Sequence, residues 1–313
     1  MIVELRRGTI AESRHQVHVA VVDAAGKLVA HAGDPDFVTF WRSAAKPFQA
    51  MPLIEDGAAE HFRFTPEDLA LICASHSSEP GQVARARELL QKIGCSERDL
   101  LCGPHRPLSE PVAKDYETRG VRLTAVYSNC SGKHAGMLAL AKHHGWPTEF
   151  YTRLEHPVQR RCLAEVSRWT GMPAEEIGVG VDGCGVACFA MPLVSMALAY
   201  ARLEGPIRDA MLKHPELIAG EGRPCTEMMR AHPGRVITKV GAEGVYSALL
   251  VAEKLGVALK VEDGHSVASA LAMAAVLAEL GLRPQPDSLT ARPTQNSRGE
   301  TVGEMRVNGG LVR

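Results

Sequence analysis

No stretch of this sequence reaches the ~18 consecutive apolar residues that a membrane-spanning helix needs. The first residues, Met1-Ile2-Val3-Glu4-Leu5-Arg6-Arg7, hold neither the apolar core nor the small-residue cleavage site of a secretory signal. The compartment expected is the cytoplasm. Net charge is nearly absent too: 35 Lys and Arg against 36 Asp and Glu, mixed along the chain, leave a formal charge of −1. That balance argues against a nucleic-acid partner and against a membrane surface, so the expected partner is a small molecule. Paired metal-ribbon spacing is missing as well. The eight cysteines (Cys73, Cys95, Cys102, Cys130, Cys162, Cys184, Cys188 and Cys225) form no Cys-x-x-Cys pair. Without a secretory signal they read as free thiols or metal ligands rather than a disulfide frame.

There is also no internal repeat, and no linker long enough to separate domains. A chain of 313 residues can bury about three quarters of its unfolded surface, which gives it a sizeable core. Val17 to Val22 and Leu28 to Ala32, broken by Asp23-Ala24-Ala25-Gly26-Lys27, read as a β-hairpin. Thr65-Pro66-Glu67-Asp68 combines an N-cap, a first-turn proline and acidic residues, so a short buried helix follows. Helical spacing continues in Gly81 to Lys92, Ala135 to His144, His156 to Thr170, Cys188 to Leu203, Ile207 to Ala219, Tyr246 to Leu255 and His265 to Leu280. Extended segments are expected at Val121 to Val126, Arg235 to Val240, Val257 to Val261, Thr301 to Val307 and Leu311 to Arg313.

Ile177 to Gly185 reads as a short strand entering a glycine-rich turn. It is not read as a Rossmann fingerprint, which sets its glycines at the opening of a helix with a ribose carboxylate further on, so no nucleotide is assigned to it. Strands crowd both ends and helices the middle. The expectation is one mixed α/β domain over residues 1–313. Its sheet comes from about 1–40 and 235–313, with a helical part inserted over about 41–234.

The chemistry centres on Phe40-Trp41-Arg42-Ser43-Ala44-Ala45-Lys46-Pro47-Phe48-Gln49. If Ser-x-x-Lys opens a helix, Ser43 and Lys46 share a face, and the amine can take the hydroxyl proton. Pro47 belongs in a first helical turn, which points Ser43 at the positive end of the helix. A free lysine titrates near ~10.4 and a useful base near ~7 to 8, so Lys46 requires burial and a second cation. Arg42, Lys260 and Lys239 are candidates for that cation. The spacing alone arises by chance about once in a chain of this length, and a solvated helix N-terminus is the plain alternative. The apolar flanks, Phe37 to Trp41 and then Phe48, Met51, Leu53 and Ile54, provide a place to bury an amine.

Two further clusters pair a thiol with turn residues: Cys130-Ser131-Gly132-Lys133-His134 and Asp182-Gly183-Cys184-Gly185-Val186-Ala187-Cys188. Either could supply zinc ligands, and buried structural thiols are the alternative. Ser75, beside His76, is a second nucleophile or relay, or simply a turn cap.

Taken together, Arg42-Ser43-Ala44-Ala45-Lys46-Pro47, Cys73-Ala74-Ser75-His76-Ser77, Asn129-Cys130-Ser131-Gly132-Lys133-His134 and Val181-Asp182-Gly183-Cys184-Gly185 resemble the class 3, rhizobial-type L-asparaginases. The resemblance implies a serine β-lactamase-like and glutaminase-like fold, a homodimer, and hydrolysis of L-asparagine to L-aspartate and ammonia. It makes Ser43 and Lys46 nucleophile and base. Ser75 joins a second serine–lysine tandem, with Lys260 as its most natural lysine and Lys239 open. Cys130, Lys133 and Cys184 match zinc ligands, and Arg42, Asp182 and His134 contact substrate. Glutamine or a β-lactam as substrate, and a non-catalytic zinc-binding protein, are the rival readings.

Overall fold

A computed structural model describes residues 1–313. Its contacts divide the chain into two compact units. One comprises Met1–Ala44, Met191–Leu203 and Glu227–Arg313, and the other Ala45–Ala190 and Glu204–Thr226. The strands in chain order are β1 (Ile2–Arg7), β2 (Ile10–Asp23), β3 (Leu28–Ala32), β4 (Val38–Phe40), β5 (Gly178–Val181), β6 (Ala187–Pro192), β7 (Val236–Val240), β8 (Val245–Leu250), β9 (Leu255–Val261), β10 (Ala291–Gln295) and β11 (Thr301–Asn308).

In the first unit, an antiparallel sheet runs β10-β11-β1-β2-β9-β8-β7, with β3 also pairing β2. The N-terminal hairpin forms as its alternation predicts. The C-terminal β11 reaches it through β1. Val312 makes a single bridge to His31, where a short strand was expected. The helices Leu193–Arg202 and Ser266–Glu279 pack on this sheet. Gly256 on β9 permits the first of these contacts, because a Cβ there would lie 1.8 Å from Ala197 O.

Besides Leu311 to Arg313, sequence pattern misleads at three places. Tyr246 to Leu255 carries helical spacing but forms β8 and the turn after it. All six residues of β8 are buried, and a strand covered on both faces shows a continuous apolar run with no period of its own. Cys188 to Leu203 begins as β6, paired to β5, and turns helical only after Pro192. Val121 to Val126 pairs with nothing and ends in a 3-10 turn at Ala125–Tyr127.

The second unit is helical apart from the β5–β6 hairpin. Helix Pro66–Ile72 is capped by Thr65, and Asp68 returns the bond, as the sequence pattern predicts. It packs against helix Ser131–His144. Gly132 sits at that crossing, where a Cβ would lie 2.2 Å from Leu71 O. Helix Lys46–Glu55 packs on helix Pro157–Thr170. Phe48 meets Trp169 at that packing, and Arg161 grips Asp56, closest at 2.8 Å.

Candidate active site

The residues around Ser43 are held by the sheet of the first unit. Trp41 is buried, and its indole N–H donates to Ser247 Oγ on β8 at 3.1 Å. Arg42 follows with φ +53°, in the left-handed region that few side chains other than glycine adopt. The 3-10 turn Arg42–Ala45 then begins, with Ala44 N bonded to Trp41 O and Tyr200 OH donating to Ala44 O at 2.8 Å. Gly241, just beyond β7, lets this segment approach, since a Cβ there would lie 2.9 Å from Trp41 O. Lys239 on β7 stands opposite Ser247, the residue that holds Trp41. Its side chain is 0 % exposed, and its amine donates to Val240 O at 2.9 Å.

The 3-10 turn runs directly into helix Lys46–Glu55, which has proline in its first turn as the sequence expects. Lys46 is also 0 % exposed. Its amine links two loops of the second unit. It donates to Ala74 O and, at 3.1 Å, to Ser75 Oγ in one loop, and to Asn129 O at 3.4 Å in the other. Backbone bonds fix both loops: Ser75 N donates to Ile218 O, and His76 N to Asn129 O. The serine–lysine contact made here is therefore Ser75 with Lys46.

His76 fastens the same loops. Ser78 N donates to His76 Nδ1, so Nε2 carries the proton and donates to Ser131 Oγ at 2.8 Å. Burial, with the charges of Lys46 and His105, pushes its pKa down to about 3, and the imidazole is neutral.

At the start of helix Ser131–His144, the thiol cluster assembles. Cys130 at the helix N-terminus shares a hydrogen bond with Cys184. Lys133 Nζ lies 3.1 Å from Cys184 Sγ and 4.0 Å from Asp182 Oδ2. The β5–β6 turn brings Asp182 and Cys184 there, with Gly185 at φ +88° closing it. Of the two thiols, Cys130 is held well below its ordinary value. The Cys184 hydrogen bond is the largest cause, burial opposes it, and Lys46 and Lys133 add to it. Cys184 is pushed up by the same bond, so the pair shares one negative charge. Lys133 is pushed up by the sulfurs and Asp182, against burial.

Two sulfurs and a carboxylate are zinc-ligand types, and the Lys133 amine joins them only once it has lost its proton. No three His, Cys, Asp or Glu side chains gather as a metal centre.

His134 is on the same helix. Leu101 N donates to Tyr151 OH, which in turn donates to His134 Nδ1 at 2.7 Å. His134 Nε2 is buried without a partner, and burial with two nearby lysines keeps the ring neutral.

Lys260 lies on β9, where its amine is held by Val261 O and by Glu262 O at 3.2 Å. Burial lowers its pKa, while the carboxylates of Glu243, Asp263 and Glu262 oppose the shift. Sequence reasoning missed Tyr151 and Ser247, which stand in no motif, and the parts played by the Trp41 indole and by the carbonyls of Ala74 and Asn129, which stand in stretches already singled out; only packing brings these groups to the candidate side chains.

The chain matches the model of the L-asparaginase II family over residues 3–307. No curated protein matches it by sequence. Similar solved structures include a β-lactamase from Mycobacterium bovis, at 14% identity over 81% of this chain and 89% of that one, TM-score 0.34. A putative β-lactamase from Bacteroides dorei is 13% identical over 79% and 85%, TM-score 0.40. A D-alanine carboxypeptidase from Burkholderia cenocepacia is 12% identical over 81% and 90%, TM-score 0.39. Scores this low say nothing about activity, whereas the family match covers nearly the whole sequence. The chain belongs to the L-asparaginase II family of amidohydrolases.

Proposed function

We propose that the protein hydrolyses L-asparagine to L-aspartate and ammonia through an acyl-enzyme on Ser43. The observation that carries this reading is the buried amine of Lys46, three residues after Ser43 and hydrogen-bonded to Ser75 Oγ. In its neutral form, with one of its three hydrogen bonds released, Lys46 takes the Ser43 proton, and Ser43 Oγ attacks the side-chain amide carbon. The carbonyl oxygen becomes an oxyanion. As the tetrahedral species collapses, the C–N bond breaks and the nitrogen leaves as ammonia with the proton that Lys46 held. Ser75, with its oxygen already bonded to that amine, relays the proton. Water then attacks the Ser43 ester to release aspartate.

Arg42 binds the substrate carboxylate and Asp182 its ammonium, and His134 offers its unpartnered Nε2–H. Lys239, rather than Lys260, is the second cation. Its cross-strand neighbour Ser247 holds Trp41, two residues before Ser43. Lys239→Ala is expected to lower kcat 100-fold or more, and Lys260→Ala far less; the reverse order restores Lys260.

Cys130, Cys184 and Lys133, with Asp182 beside them, would hold zinc through thiolates and a neutral amine. Bound there, the ion would supply a fixed positive charge and fasten the two loops that carry its ligands. Metal analysis should give one zinc per chain, lost in Cys130→Ser; absence of zinc from protein prepared with the metal refutes this part. By the family resemblance the enzyme is a homodimer, and sedimentation tests the pairing.

The central test is Ser43→Ala, which should abolish ammonia release from asparagine with circular dichroism unchanged. Retained activity would place the nucleophile elsewhere. Comparing asparagine with glutamine and a chromogenic cephalosporin tests the substrate, and a preference for either rival sinks the asparaginase reading.

A further inference from the structure

Ser43 stands between two residues that side chains from other elements of the first unit hold in place. Before it, Trp41 is 0 % exposed and donates its indole N–H to Ser247 Oγ on β8 at 3.1 Å. After it, the Ala44 carbonyl accepts from Tyr200 OH at 2.8 Å. Tyr200 is 0 % exposed as well, and its ring meets that of Trp41 edge-on, with centroids 6.0 Å apart. The bond from Ala44 N to Trp41 O closes this ring of contacts around Ser43.

The enclosed turn is strained. Arg42, at φ +53°, occupies a conformation that costs an L side chain energy and lasts only where its surroundings over-determine it. Arg42 and Ser43 are the two residues between Trp41 and Ala44, so freeing either flank lets both relax. Tyr200 is suited to prevent this. It belongs to helix Leu193–Arg202, which lies directly on β9, where Gly256 has no side chain to hold the helix away. Phenylalanine would fill the same space, so what the tyrosine adds is a buried hydroxyl, and that hydroxyl donates to the carbonyl one residue from Ser43.

We propose that Tyr200 is a positioning residue for amide hydrolysis: through the Ala44 carbonyl, its hydroxyl holds the strained turn so that Ser43 Oγ stays in line with the substrate's amide carbon. Ser247 does the same on the other flank, through Trp41. In this role neither side chain touches substrate, and their loss is felt in turnover rather than in binding. Arg42, which reaches the carboxylate through a long flexible side chain, can follow a small shift of its backbone; the short Ser43 side chain cannot. The inference rests on Ser43 as the nucleophile.

The test is Tyr200→Phe in the full chain, assayed with asparagine well below its melting temperature, beside calorimetric binding of the product aspartate. Misplacing a reacting atom by about 1 Å costs up to about 100-fold in rate, so kcat should fall about tenfold or more while the aspartate dissociation constant stays within about twofold of wild type. A hydroxyl that only stabilised the fold would leave the turnover of folded enzyme unchanged. Ser247→Ala should give the same split, and it carries the comparison if Tyr200→Phe fails to fold. A smaller fall in kcat overturns the inference. So does an aspartate affinity that weakens as much as turnover, which would mean a collapsed site, and so does failure of both variants to fold, which would make both hydroxyls structural. Activity retained in Ser43→Ala is a different failure: it removes the nucleophile on which the proposed function rests, and this inference with it.

Discussion

Lys46 has no exposed surface, so every hydrogen-bonding need of its amine is met by protein. The Ser75 hydroxyl and two backbone carbonyls meet it, and each acceptor belongs to a loop pinned by its own backbone bonds. A side chain held this way spends no time out of register, which is what a base acting on a neighbouring hydroxyl requires. Lys46→Met keeps the length and apolar stem of the side chain and removes only the amine. It is expected to lower kcat by ~100- to 10,000-fold with little change in melting temperature. Ser75→Ala should lower kcat less than Ser43→Ala and still leave turnover above background, because a relay can be replaced by water and a nucleophile cannot. Equal, complete loss in both variants would make Ser75 part of the covalent step. The Ser43 to Lys46 spacing was legible in the sequence, but the contact between Lys46 and Ser75 was not. Nothing local says which of several lysines meets a serine 29 residues away.

At the scale of elements, three glycines give opposite expectations. Gly132 and Gly256 each face a backbone carbonyl, Leu71 O and Ala197 O, at distances where no Cβ fits. Gly132→Ala and Gly256→Ala therefore force a helix off its neighbour and should each cost ~1 to 3 kcal/mol, read as a lower urea midpoint. Gly81 lies in helix Pro80–Lys92 with nothing within 4 Å of where its Cβ would be. Gly81→Ala should stabilise by up to ~1 kcal/mol, since alanine loses less backbone freedom in a helix. A destabilised Gly81→Ala would show that an exposed helix position is not governed by propensity here. Caps and proline positions made most helices readable. The buried strand β8 was misread because its neighbours on both faces erase the period-two signal.

For the whole molecule, buried neutral histidines tie stability to pH. His76 is held at about 3 in the fold against an ordinary 6.5, so the unfolded chain binds more protons between those values. Stability is complete above about pH 6.5 and falls as the pH drops through that window, by ~1.4 kcal/mol per unit for this residue alone. His134 acts in the same direction. Urea midpoints should be clearly lower at pH 5 than at pH 7.5, and His76→Gln should flatten part of the slope; equal midpoints would contradict the buried neutral state. The sequence by itself determined the element types wherever a cap, proline or alternation was present. It also determined that both chain ends contribute strands, and it singled out the four short motifs that the family resemblance rests on. Those signals are local, written in residues close together along the chain. Only the tertiary structure decided that Ser75 bonds Lys46, that Cys130 meets Cys184 beside Lys133, and that Lys239 stands across from the serine that anchors Trp41. Such pairings depend on strand register and helix crossings between residues far apart in sequence, and those follow from how the whole core packs.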